Sequence, residues 1–178
     1  MSPINFSEDE VTRMHDEADK YLVQRWERRP GYKPLILTHG DGGHFWDAKG
    51  KKYLDFMSQL YNAHIGLNNR EVIEAAKKQL DEMAYASPSY SNVPQIQLAK
   101  KLAQITPGDL CKTFFGNSGT EANEVAIKIA QLYRGASKVI SYWDAYHGST
   151  YAMVSVGGSS RNRQFPGLSI FEEFKHVP

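Results

Sequence analysis

A short stretch between residues 113 and 124 limits the possible folds of this chain more than any other feature. Thr113, Phe114 and Phe115 are strand-forming residues at the end of an apolar run, and they predict a buried strand. Ser118 and Glu121 have the spacing of a capping box, which predicts that a helix begins there. From this point the pattern alternates strand and helix, which predicts an α/β fold with a mainly parallel sheet.

The loop inside this stretch is suited to an anion. Free N–H groups at a helix start carry partial positive charge, and the hydroxyls of Ser118 and Thr120 add donors. Gly116 and Gly119 allow a sharp turn and a close approach to the backbone. The loop is neither a P-loop, which needs Lys before Thr120, nor a dinucleotide fingerprint. On the residues alone, a phosphate site and a simple capped helix are equally open.

A second informative stretch follows at residues 138–150. Residues 138–143 predict the next strand, and the sequence YHGST (146–150) comes soon after its end, where ligands bind in α/β sheets. Tyr146 and His147 are able to stack on a flat cofactor, and Gly148 lets the chain turn beneath it. A half-buried tyrosine and a turn histidine are the alternative interpretation.

Four segments in order resemble the class III aminotransferases, the fold-type-I enzymes that use pyridoxal 5′-phosphate (PLP). They are residues 47–56 (DAKGKKYLDF), 63–68 (AHIGLN), 117–128 (NSGTEANEVAIK) and 146–150 (YHGST). The resemblance implies an incomplete fold-type-I PLP-dependent transferase. Residues 1–66 would belong to its small domain, and residues 67–178 would begin its large PLP-binding domain. Held in that geometry alone, the chain is expected to leave unpaired strand edges and exposed apolar faces.

The resemblance also implies which residues bind the cofactor. Ser118, Gly119 and Thr120 would hold the phosphate, and Tyr146 and His147 would pack on the ring. The family's Schiff-base lysine, and the aspartate that pairs with the pyridine nitrogen, lie in later parts of the family's sequence. No lysine of these 178 residues has the catalytic context, so no catalytic residue is assigned.

Three further residues are implicated less directly. Tyr61 and Tyr90 match regions that line the family's substrate pocket, with core or interface packing as an equal alternative. Glu124 is a motif position that faces the site or lies on the helix surface. The family implies a small amino donor, a keto-acid acceptor and a homodimer with the active site at the subunit interface.

The expected function is transamination between an amine or amino acid and a keto acid, with these 178 residues inactive alone. An aminomutase or racemase activity is also compatible with the motifs. One alternative is a non-catalytic split-gene or degenerate product that pairs with a separately encoded C-terminal half. A minor alternative is a serine hydrolase using Ser118, Asp144 and His147, although the nucleophile-elbow motif lacks its final glycine.

Composition limits which macromolecular partners and which cellular compartment are expected. The formal net charge of +1 predicts neither a nucleic-acid nor a membrane partner. The single cysteine, Cys111, precludes an internal disulfide, favours a cytoplasmic location and is expected to be a small core residue. No apolar run has membrane-spanning length, and the six histidines show no metal-ligand spacing.

Helical periodicity and capping signals predict three further helices, at residues 7–26, 69–83 and 94–105. Short strands are expected between residues 35 and 56, including a hairpin. The last residues read as a polar terminal stretch.

Overall fold

The structure, a computed structural model, describes residues 4–23, 31–159 and 173–178. It divides into two compact units, Met1–Tyr90 and Ser91–Pro178. The boundary between residues 66 and 67 implied by the resemblance concerns the family's own domains and stays a prediction.

The described part of the first unit contains an antiparallel sheet of three strands and three helical segments. In chain order they are α1 (Glu8–Tyr21), β1 (Leu37–Asp41), β2 (His44–Asp47), β3 (Lys52–Leu54), α2 (Ser58–Tyr61) and α3 (Arg70–Glu82). The sheet order is β1-β2-β3, with Phe45 opposite both Gly40 and Tyr53. The predicted hairpin and the helix near residues 69–83 are confirmed.

Helix α1 begins as predicted and ends early. Ser7 is its N-cap, and a full capping box with Glu10 is present. The helix ends at Tyr21, and Leu22 is already extended, so the prediction of a helix as far as Trp26 was wrong for residues 22 and 23. β-branched Val23 has lower helix propensity than Leu22 before it, and the next residues in the sequence include no glycine to cap the helix. Trp26 itself lies outside the described residues.

Asp47 organises the turn between β2 and β3. One carboxylate oxygen accepts hydrogen bonds from the N–H groups of Lys49 and Lys51, both at 2.9 Å, and the other accepts one from the Tyr53 hydroxyl at 2.8 Å. Asp47 is 7% exposed. Burial raises its pKa, but these hydrogen bonds outweigh burial and hold the pKa of Asp47 below its ordinary value.

The lowered pKa predicts that the turn is sensitive to acid. Because the folded-state pKa is below the unfolded one, the stabilisation is present above about pH 4 and is lost as pH falls through the folded-state pKa. We expect the protection of the Lys49 and Lys51 amides against hydrogen exchange, relative to the intrinsic rate at each pH, to fall over that range. In Asp47→Asn these two amides should exchange faster at neutral pH, and their protection should no longer fall when acid is added. If protection in the variant still falls with acid as in the unmodified protein, Asp47 is not the group that holds the turn.

The second unit is built on a parallel strand pair with helices beside it. Its described elements are α4 (Val93–Ile105), α5 (Gly119–Arg134), β4 (Val139–Tyr142), α6 (Tyr151–Val156) and β5 (Phe174–Val177). Strands β4 and β5 pair in parallel, with Ser141 opposite His176. The predicted α4 and β4 are confirmed. The polar terminal stretch was misjudged, because its residues 174–177 form β5.

The predicted strand at Thr113–Phe115 is not formed within the described residues. Residues 111–116 have no regular secondary structure, and Phe114 is 59% exposed. A strand needs a neighbour to satisfy its backbone groups, and no described segment pairs with this one. Cys111 in the same segment is exposed, which corrects its expected place in a core.

The described apolar core is small, whereas several helix faces are exposed. The fully or nearly buried apolar side chains are Val11, Ala48, Met153 and Val156. Helix α3 buries none of its residues, and its apolar Val72 and Leu80, together with Met83 at its C-cap, are each more than half exposed. Ile140 and Tyr142 on β4 are also more than half exposed. The expectation of exposed apolar faces is therefore confirmed.

Candidate cofactor site

The loop before α5 ends in a well-formed helix cap. Ser118 is the N-cap, with extended φ −155° and ψ 160°, and its hydroxyl accepts a hydrogen bond from the Glu121 N–H at 3.2 Å. The Asn117 N–H donates to the Glu121 carboxylate. The helix begins at Gly119, so the predicted helix start is confirmed.

The first turn of α5 presents donors that remain available for a ligand. In the described part of the chain, the N–H groups of Gly119 and Thr120 and the Thr120 hydroxyl make no hydrogen bond. A Cβ built on Gly119 would meet no atom within 4 Å, so open space lies in front of the turn. Because the macrodipole adds positive potential at this end, the donor set fits a phosphate group.

The YHGST segment lies after β4 and has two differently placed rings. Tyr146 is 56% exposed, and its hydroxyl lies 3.0 Å from the hydroxyl oxygen of Ser149. The His147 ring turns toward β4, where its Nε2 lies 3.1 Å from Oγ of buried Ser141. Tyr146 is thus more than half exposed, while a hydrogen bond holds the His147 ring.

The structure brings the two segments together through one face of α5. The Asn123 side-chain amide donates to the His147 carbonyl at 2.9 Å, and the Thr150 hydroxyl donates to the Glu124 carboxylate. Thr120 packs against Gly148 so closely that a Cβ there would lie 2.6 Å from the threonine Oγ1. The predicted phosphate turn and the predicted ring segment are therefore neighbours.

Sequence reasoning missed these contacts, although the spacing contained a signal for them. Thr120, Asn123 and Glu124 are at positions i, i+3 and i+4, which fall on one helix face. Of the two interpretations of Glu124, the structure shows a half-buried carboxylate bound to Thr150, not a free surface group. The predictions also omitted α6, which Thr150 caps through the Met153 N–H at 3.3 Å.

Tyr61 lies in the first unit, at the end of an unusual turn. All four residues of α2 have positive φ, from 44° at Ser58 to 66° at Tyr61, which makes this a left-handed turn. The Asp55 carboxylate accepts from the Met57 N–H and from the backbone and side-chain N–H groups of Gln59, at 2.9–3.1 Å. These bonds oppose the steric cost of left-handed backbone, about 1–2 kcal/mol per residue.

The left-handed turn predicts a stabilising glycine substitution. Leu60 has φ 56° and is 60% exposed, so Leu60→Gly relieves strain and sacrifices little buried surface. We expect a gain of about 1 kcal/mol in the free energy of unfolding, measured with urea. Leu80→Gly is the matched control, because Leu80 is also 60% exposed but lies in right-handed α3. It should lose about 1 kcal/mol. If Leu60→Gly and Leu80→Gly lose the same free energy of unfolding, the backbone at Leu60 is not strained.

Tyr90 also lies in the first unit and is 74% exposed. The Tyr61 ring lies 6.5 Å from that of His64, nearly parallel at 19°. Neither tyrosine is buried in a core, and their roles in a substrate pocket stay predictions.

Two of the three residues of the hydrolase alternative, Ser118 and His147, make hydrogen bonds outside a catalytic triad. The Ser118 hydroxyl caps α5, and the His147 ring bonds Ser141. Within residues 4–23, 31–159 and 173–178, no cluster of three metal-ligating side chains is present. No helix in those same ranges is long and apolar enough to cross a membrane.

The helix start with its donors and the YHGST segment after β4 lie in an α/β unit, the class of fold in which ligands bind beyond the ends of strands. The aminotransferase class-III family profile matches residues 27–178. This chain belongs to that family, which confirms the resemblance seen in the four motifs.

Relatives in the family include both aminotransferases and an isomerase. The chain is 41% identical over 170 residues to an acetylornithine aminotransferase of Methanocaldococcus jannaschii, covering 92% of this chain and 41% of that protein. It is 34% identical over 172 residues to an isoleucine 2-epimerase of Lentilactobacillus buchneri, covering 96% of this chain and 38% of that protein. The chain thus spans about two fifths of the length of these relatives.

Solved structures support the same fold. A taurine:2-oxoglutarate aminotransferase from Bifidobacterium kashiwanohense, in complex with PLP and glutamate, matches with a TM-score of 0.86 and 31% identity. The match covers 94% of this chain and 37% of that one. An omega-transaminase from Thermomicrobium roseum matches equally well, at 0.86 and 31%, over 97% of this chain and 40% of that one. The chain has the fold of part of a fold-type-I PLP-dependent transferase.

Proposed function

We propose that this chain supplies the phosphate-binding turn and the ring-stacking segment of a PLP-dependent aminotransferase. The observation that carries the proposal is the contact of Thr120 with Gly148, which brings a set of anion donors beside a segment that contains a half-exposed aromatic ring. The family membership supports the choice of PLP. When bound, PLP supplies an electron sink for reactions at the amino-bearing carbon of the substrate.

The binding roles follow from the donors and rings. The N–H groups of Gly119 and Thr120, together with the Thr120 hydroxyl, would bind the phosphate. The Ser118 hydroxyl accepts from Glu121, so its own proton is left to donate to the same group. Tyr146 would cover one face of the pyridine ring and exclude water from it. His147 would support this segment through Ser141 and contribute its ring edge.

The substrates proposed are a small amine or amino acid as donor and a keto acid as acceptor. Tyr61 and Tyr90 are proposed to line the substrate pocket, which their exposure permits. A homodimer and a cytoplasmic location are also proposed, the latter supported by the exposed free thiol of Cys111. An amino-acid epimerase is the second candidate, because an isoleucine 2-epimerase matches over 96% of the chain.

An assay of the protein expressed from its complete gene tests the proposal. With PLP present, a panel of amines and amino acids is incubated with 2-oxoglutarate or pyruvate. We expect a new amino acid to form from the acceptor in step with loss of the donor. An epimerase would invert an amino acid without consuming a keto acid. Failure to bind PLP, or the absence of both reactions across the panel, would contradict the proposed function.

A further inference from the structure

The ring segment contains a glycine at its centre and therefore needs external restraints. Gly148 has φ +142°, a conformation open almost only to glycine. Glycine also has the greatest backbone freedom of any residue. Tyr146, two residues before it, is more than half exposed, so burial alone does not fix its ring. Contacts on both sides of Gly148 therefore help to define the position of the segment.

Helix α5 makes a contact on each side. Before Gly148, the Asn123 amide donates to the His147 carbonyl at 2.9 Å. After it, the Glu124 carboxylate accepts a hydrogen bond from the Thr150 hydroxyl. Asn123 and Glu124 are both half-buried and lie one turn beyond Thr120, on the same helix face. One rigid helix thus carries the phosphate donors and both restraints on the ring segment.

We propose that Asn123 and Glu124 are positioning residues that hold the ring-stacking segment in register with the phosphate-binding turn. The inference rests on the proposed function and adds two residues to it. A ligand with a phosphate at one end and a flat ring at the other binds more tightly because of this register, since both contacts form without further ordering of the protein. The affinity of a ligand that has only the phosphate does not depend on the register.

This difference defines the measurement. Dissociation constants for PLP and for inorganic phosphate are determined for the protein expressed from its complete gene and for its Asn123→Ala and Glu124→Ala variants. Loss of one hydrogen bond predicts about 2- to 10-fold weaker PLP binding in each variant. Inorganic phosphate should bind each variant as it binds the unmodified protein. At saturating PLP, the induced circular dichroism of the bound ring should fall in both variants.

Two further variants separate positioning from loss of structure. Glu124→Gln keeps an acceptor for the Thr150 hydroxyl and should restore both PLP affinity and the dichroic signal. Gln131→Ala is the matched control, since Gln131 is also a side-chain amide of α5 that donates to a backbone carbonyl, that of Ser137 at 2.7 Å. That contact lies two turns further along the helix, and its loss should change neither affinity nor signal.

Each other outcome overturns the proposal. If PLP and phosphate affinities fall together and the signal at saturation is unchanged, the two residues only stabilise α5. If neither affinity changes, they have no role in the site. A dichroic signal that is unchanged at saturation decides against positioning even where phosphate binds too weakly to measure. If the unmodified protein binds no PLP, the proposed function fails, and this inference fails with it.

Discussion

Gly148→Ala is expected to disrupt the candidate cofactor site directly, at the contact between its two segments. The new Cβ would lie 2.6 Å from Oγ1 and 2.7 Å from Cγ2 of Thr120, and 2.9 Å from Cβ of Met153. The φ of +142° is also strained for alanine. Overpacking costs about 1–3 kcal/mol and such backbone strain about 1–3 kcal/mol, so we expect a loss of about 2–6 kcal/mol.

The measurement is urea unfolding, followed by PLP titration of the folded variant. Gly108→Ala is the control, because Gly108 has φ +66° but its Cβ would meet no atom within 4 Å. It should lose only about 1–2 kcal/mol, the cost of the left-handed conformation. The double variant Gly148→Ala/Thr120→Ala removes the two clashing threonine atoms and should recover part of the loss. Equal losses in the Gly148 and Gly108 variants would show that the close approach to Thr120 does not exist.

The second large effect concerns covalent chemistry, which the 178-residue chain is expected to lack when tested alone. A lysine that attacks an aldehyde needs a depressed pKa and a position at the reacting carbon. Lys128 lies on α5 eight residues after Thr120, about 12 Å along the helix axis. Lys175 is exposed on β5, and Lys138 precedes β4. None of the three is part of the first turn of α5 or of the YHGST segment.

The test is borohydride reduction of the chain with PLP, followed by denaturation and mass spectrometry. We expect no lysine to carry the cofactor stoichiometrically and no amino transfer. The acetylornithine aminotransferase of Methanocaldococcus jannaschii, treated identically, serves as the positive control. A single stoichiometric site on one lysine of this chain would contradict the expectation, and amino transfer by the chain would then need an account of that lysine.

Local signals predicted the start of the site well. Ser118 and Glu121 have the capping-box spacing, which depends only on neighbours in sequence, and α5 begins where that spacing indicates, with the Ser118 hydroxyl as its cap. Gly116 and Gly119, which were expected to allow a sharp turn, have a different role in the structure. Gly116 and Gly119 do not have positive φ, and Gly119 instead leaves open space in front of the donors. The glycine with the unusual backbone is Gly148, which the Thr120 side chain approaches closely.

Features that depend on distant partners were not predictable from local patterns. Phe114 and Phe115 have strand-forming side chains, but strand formation requires a neighbour that their own sequence does not specify. The bonds from Asn123 to the His147 carbonyl and from Thr150 to Glu124 join residues 24 and 26 positions apart. The helix spacing shows that Asn123 and Glu124 share a face, but only the fold determines what that face contacts.

The proposed function requires that the first turn of α5 bind the phosphate of PLP while Tyr146 stacks on its ring. A crystal structure of the protein expressed from its complete gene, with PLP bound, tests it most directly. We predict phosphate oxygens at about 2.7–3.2 Å from the Thr120 hydroxyl and from the Gly119 or Thr120 nitrogen. The Tyr146 ring should lie against the pyridine. A PLP molecule with its phosphate bound elsewhere, or with its ring away from Tyr146, would contradict the proposed binding mode.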